Sequence, residues 1–132
     1  MQIFLMLEAV GWFGYGLLCL LYPSMLARVA GVGAQSITGL VELSAMYGGL
    51  EAAIGIIAFL GWHETQKTRW ALWSLVLLCG GMGGGRLLAA LFHMHLSLYT
   101  AGALLFELGS ATVAWIFLSR LPLADPGVTS RL

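Results

Sequence analysis

Residues 80–93 read GGMGGGRLLAALFH. Five glycines lead into a lone arginine, Arg86, and the leucines and alanines around it belong in hydrocarbon. Taken from Trp70 to Phe92, the run reaches 23 residues with no other charge. At about 1.5 Å of rise per residue, that is enough to cross the roughly 30 Å core of a bilayer as a helix. This one stretch therefore predicts a membrane span with a charge held inside it.

The rest of the chain agrees. Hydrophobic residues make up 60% and charged residues 9% of the sequence, against about 25% charged in a soluble domain, and mean hydropathy is +0.92. The expected fold class is all-α, an integral membrane bundle of four transmembrane helices. Six basic and six acidic side chains cancel, and no Lys or Arg cluster offers a phosphate-binding face, so no nucleic-acid partner is expected. Cys19 and Cys79 each sit in an apolar run and read as packing residues rather than as a disulfide or a thiolate site. Glu8 interrupts the first apolar stretch, which reads as a retained helix and not as a signal peptide.

Four crossings are expected, over about residues 3–21, 40–60, 70–92 and 96–118, in one transmembrane domain covering 1–120. Residues 121–132 read as a flexible C-terminal tail. Tyr22-Pro23 ends the first span and GWHETQKTR, residues 61–69, forms the polar turn after the second. HMHL, residues 93–96, leaves so little loop that the last two helices should be antiparallel neighbours. An even number of spans puts both termini on the side of the second turn, which carries Lys67, Arg69, Arg120 and Arg131 against Arg28 opposite. The positive-inside rule then predicts cytoplasmic termini in a bacterial inner membrane.

Five ionisable groups fall in or near hydrocarbon: Glu8, Glu42, Glu51, Arg86 and Glu107. A charge at the bilayer centre costs at least about 2.5 kcal/mol, so such groups face a bundle interior, pair, or mark a pathway. They are expected to form a buried charge network or ligand cavity. Counting inward from the non-cytoplasmic interface at the helical rise, Glu42 lies about 3 Å deep, Arg86 about 9 Å, and Glu51 and Glu107 about 16 Å. Arg86 can reach both deeper acids, whereas Glu8 lies on the other side of the bilayer. One arginine cannot neutralise two acids, so one of Glu51 and Glu107 is expected to hold a proton near neutral pH.

Helical spacing puts these groups on inward stripes: Glu8, Trp12, Tyr15 and Cys19; Ser44, Tyr47, Glu51 and Gly55; Cys79, Gly83, Arg86 and His93; Thr100, Glu107, Ser110 and Ala114. Gly48, Gly49, Gly80, Gly81, Gly83, Gly84 and Gly85 read as helix-packing positions, in the small-residue manner of membrane helices. The glycine run has no preceding strand and no Walker lysine, so it is not a phosphate loop. His93 and His95 lack a third ligand and read as interface residues; no metal site and no cofactor is expected. Asp125, the only aspartate, lies beyond Pro122 and gives no Ser-His-Asp set.

Met46-Tyr47-Gly48-Gly49-Leu50 followed by Gly55, Gly85-Arg86-Leu87-Leu88, and Glu107 in the last span together resemble the DUF4345 family of small bacterial four-helix membrane proteins, over about residues 5–118. The resemblance implies the fold and a region to watch, but no reaction. In that family an arginine often stands three residues before the Tyr-Gly-Gly element. Here Ser44 holds that place, with Glu42 nearby, so the family's charge pairing is not implied unchanged.

Three functions fit these residues. The first is an accessory or structural subunit whose glycine faces pack into a larger complex or homo-oligomer among membrane lipids. The second is a membrane-embedded acid-base enzyme of isomerase or cyclase type, with Glu51, Glu107, Arg86 and Tyr47 meeting an apolar substrate. The third is a small proton-coupled transporter. An enclosed cavity at Arg86 would favour substrate binding, and lipid-exposed Gly83 or Gly84 would favour a partner.

Overall fold

A computed structural model describes residues 1–122; the remainder of the expected tail, with Asp125 and Arg131, lies outside them. Every regular element among the described residues is helical. The first helix, α1 (Gln2–Leu21), ends where Tyr22 leaves helical geometry ahead of Pro23. A short helix, α2 (Ser24–Val29), follows, with Arg28 in its last turn where a cation suits the helix dipole. Gly31, at φ 69°, then turns the chain in a conformation that favours glycine.

Ser36 restarts the helix by accepting a hydrogen bond from Gly39 N–H at 3.0 Å. The second span begins as α3 (Ile37–Leu43), widens into a π-helical segment over Ser44–Leu50, and continues as α4 (Glu51–His63). A 3₁₀ turn, Thr65–Lys67, leads into α5 (Thr68–Phe92), and the Thr68 hydroxyl fastens that turn by donating to Gly61 C=O at 2.8 Å. Ser97 caps α6 (Leu98–Ser119) through Thr100 N–H at 3.1 Å.

Four helical stretches, Gln2–Leu21, Ile37–His63, Thr65–Phe92 and Leu98–Ser119, are long and apolar enough to cross a membrane. They carry large side chains on their outer surfaces: Leu98 is 91% exposed, Phe92 82% and Leu105 79%. A soluble monomer does not carry so much apolar surface, but lipid chains cover it. The chain is a multi-pass membrane protein.

Packing pairs run α1 with α4, α4 with α5, and α5 with α6. The fourth side, between α1 and α6, is a looser seam bridged by long side chains: Phe4 meets Phe117 at 5.6 Å between ring centroids and Trp12 meets Phe106 at 5.1 Å. Backbones come closest where α1 meets the second span. A Cβ on Gly16 would overlap the Ala52 backbone, one on Gly55 would overlap that of Phe13, and one on Gly48 would lie 2.9 Å from Leu20 Cα. Dense packing of Leu5, Ile54, Leu72, Leu75 and Leu118 fills the half of the bundle nearer Met1 and Pro122. In that half the Arg69 guanidinium donates to Pro122 C=O. The opposite half holds Glu51, Arg86 and Glu107 around a cavity.

Within the single chain the glycines divide. Gly48 packs tightly, Gly83 lies under Leu108, and Gly80 touches Ala111, but a Cβ on Gly49, Gly81, Gly84 or Gly85 would meet nothing. The close contacts at Gly16 and Gly55 lie in spans whose glycines are scattered. The dense run on α5 instead turns several of its faces to open space, because one helix meets its neighbours over only part of its circumference.

Candidate functional site

The site grows from the end of the π-helical segment. A π turn takes one residue more than an α turn, so it changes the face presented by everything beyond it, and such segments recur at functional sites. Gly48 lies against Leu20, and Glu51, the first residue of α4, is directed inward with 7% of its surface exposed. Regular 3.6-residue spacing does not anticipate that break, and Ser44 and Tyr47 are only half-buried while Glu51 and Gly55 are buried. The Ser44 hydroxyl is spent on Leu40 C=O at 2.9 Å.

Arg86 reaches from α5 to α6 and grips Glu107. Its Nε donates to Oε2 at 2.9 Å and Oε1 at 3.2 Å, and its Nη2 donates to Oε1 at 2.6 Å. Gly83, one turn before Arg86, lies under Leu108 and against Glu107 Cβ, so α6 sits close enough for this two-point contact. The guanidinium also lies 5.9 Å from the centre of the Tyr99 ring, a favourable cation–π placement. Arg86 Nη1 takes no part in the grip on Glu107.

Glu51 is left over. Its Oε2 is buried and accepts no hydrogen bond. Such an orphan costs free energy and calls for an explanation. It borders a cavity of about 420 Å³, within the size range of small-molecule sites, lined by Gly11, Trp12, Tyr15, Glu51, Arg86, Leu98, Tyr99, Gly102, Ala103, Phe106 and Glu107. Tyr15 and Tyr99 bridge α1 and α6 there, their hydroxyls 3.1 Å apart. A second cavity of about 650 Å³ opens on the other side, lined by Met46, Tyr47, Leu50, Glu51, Gly81, Met82, Gly85, Arg86 and Ala89. Glu51 and Arg86 form a wall common to both.

The other acids stand apart. Glu8 is buried, and both of its oxygens are occupied: Oε2 accepts from Trp12 Nε1 at 2.9 Å and Oε1 from Ser110 at 2.7 Å. It pins α1 to α6 away from Arg86. Glu42 is exposed on α3 and does not join the charge group, because it lies near the start of its span, ahead of the π segment. His93 and His95 are exposed at the last turn. Among the described residues no three His, Cys, Asp or Glu side chains gather as metal ligands.

Sequence reasoning singled out Glu51, Arg86, Glu107 and Tyr47 but not the Tyr15–Tyr99 bridge, Phe106, or the pair Gly11 and Gly102 on the open seam. The last had a signal: both glycines occupy lipid-length helices outside the dense run. The chain's match to a family model now joins this geometry. The model, described as a domain of unknown function (DUF4345), covers residues 1–118. The chain belongs to the DUF4345 family. No curated protein and no solved structure matches it. Membership in DUF4345 accords with a small bacterial multi-pass membrane protein.

Proposed function

We propose that this DUF4345 protein binds the polar head of a lipophilic small molecule at Glu51 and Arg86, in the cavity that opens to lipid between α1 and α6. The observation that carries the reading is Glu51 Oε2, a buried oxygen without a partner at the wall of that cavity. A group that destabilises the empty fold and borders a cavity is suited to a ligand that supplies the missing bond. Trp12, Leu98, Ala103 and Phe106 provide apolar walls, Arg86 Nη1 is a spare donor, and Gly102 leaves open space at the seam. An apolar molecule dissolved in the bilayer reaches this site without crossing water.

The same groups suit acid-base chemistry. Glu51 can exchange a proton with a bound head while Arg86 and Glu107 hold compensating charge, which is compatible with isomerisation or cyclisation. A transport reading draws on Glu51 and Arg86 bordering two cavities. The accessory-subunit reading draws on Gly81 and Gly85, exposed with room beside them at the second cavity, where a partner helix or a second copy would fit. Positive-inside asymmetry supports cytoplasmic termini in the inner membrane, with the site then in the outer half of the bilayer.

Extraction in native-lipid nanodiscs, followed by native mass spectrometry and lipidomics, tests the binding reading. One lipophilic molecule per chain in the wild type, lost in Glu51→Leu with helix content unchanged, is the expected result. A stoichiometric protein partner with no small molecule would replace the binding reading with the accessory one.

A further inference from the structure

The ligand class can be narrowed, on the premise that the Glu51 cavity is a binding site. The head must satisfy a carboxyl group beside a guanidinium already matched by a carboxylate. Arg86 gives two of its nitrogens to Glu107, so the site holds no spare positive charge for an anionic head, and a carboxylate head would face Glu51 and Glu107 together. A hydroxyl fits whichever way Glu51 is protonated: it donates to a carboxylate and accepts from a carboxylic acid.

The chain of such a molecule has a path. The cavity continues along the α1–α6 seam into a groove of about 360 Å³, with Gly102 and Phe106 lining both. Beyond Phe106 the groove runs past Leu105, Gly109 and Val113. The one charged side chain there, Glu8, has both oxygens occupied by Trp12 and Ser110, so the groove offers hydrocarbon contact and no free polar group. The cavity and groove together span α6 from Leu98 to Val113, about 22 Å along the helix at the usual rise, more than a short chain fills.

We infer that the ligand is a single-chain lipophilic alcohol, with its hydroxyl at Glu51 and its hydrocarbon chain laid along the α1–α6 seam past Phe106 toward Val113. The two glycines on this path, Gly102 and Gly109, have nothing within 4 Å of an added Cβ, so the space beside them is open. Phe106, resting on Trp12, stands where the head cavity passes into the chain groove.

Photo-crosslinking in membranes, with peptide mapping, tests this. The probes are oleyl alcohol and octanol, each with a diazirine at the chain end, and the matching oleate. Long-alcohol label is expected on the α6 peptide around Gly109 and Val113, and octanol label around Ala103 and Phe106. Gly109→Leu fills the groove and should lower the long-alcohol label by roughly tenfold, the scale of one lost packed segment, leaving octanol unaffected. Leu105→Trp serves as a second block should Gly109→Leu fold poorly. Long-alcohol label indifferent to both blocks, with octanol label still dependent on Glu51, would overturn the chain path and leave the head site standing. Oleate labelling as strongly as the alcohol would overturn the hydroxyl class. Loss of Glu51 dependence for every probe would overturn the head site and this inference with it.

Discussion

Arg86 is committed to Glu107 and not to Glu51. Three hydrogen bonds of 2.6–3.2 Å join the first pair across α5 and α6, while the Glu51 Oε2 atom is buried beside them with none. Two acids that line the same cavity thus take different roles: Glu107 locks the helix pair, and Glu51 keeps a buried oxygen without a partner.

The lock predicts an asymmetry between single and double substitutions. Glu107→Gln leaves a half-buried guanidinium without its counter-charge and should cost about 3–5 kcal/mol, the range for breaking a buried pair from one side. Replacing both Arg86 and Glu107 with leucine should recover most of that loss. Reversible unfolding by steric trapping in bicelles would measure both, and equal losses in the single and double variants would contradict the assignment.

Glu51→Leu should act in the opposite direction. Removing an unpartnered buried carboxyl relieves a penalty of about 1–3 kcal/mol, so the variant should melt above the wild type when both are freed of ligand. A lower midpoint would mean that Glu51 has a structural partner within the bundle.

Close helix contact predicts a sharp contrast among glycines. Gly16→Ala and Gly55→Ala each drive a methyl into the backbone of the facing helix and should cost about 1–3 kcal/mol by overpacking. Gly14→Ala and Gly85→Ala have open space beside them and should leave the thermal midpoint unchanged.

Deleting Gly49 tests the π-helical segment. Gly49 is exposed and contacts nothing, and removing one residue lets the segment close into α-helix. Everything before it then rotates by about 100° relative to Glu51. The deleted chain should still insert, while Tyr47 leaves the cavity it shares with Glu51. Cysteine accessibility at position 47, measured with a membrane-permeant maleimide, should change; an unchanged pattern would show that the extra residue is absorbed elsewhere.

What the sequence determined by itself follows from transfer free energy. Runs of twenty or more apolar residues have one stable form in a bilayer, where every backbone N–H and C=O must be satisfied within the segment. The all-α class and the four long apolar helices are therefore legible from composition and length. The cost of a charge in hydrocarbon likewise singles out Glu8, Glu42, Glu51, Arg86 and Glu107 as residues with an interior role, of which Glu42, near the start of its span, is exposed. Partner choice is different, because Glu51 and Glu107 are alike in chemistry and in depth along their helices. Only packing decides between them: Gly83 under Leu108 brings α6 to Arg86, and the π turn before Glu51 sets the face that α4 presents. The open α1–α6 seam is equally invisible in one dimension, since a cavity is a place where helices fail to touch, and that depends on every other contact in the bundle.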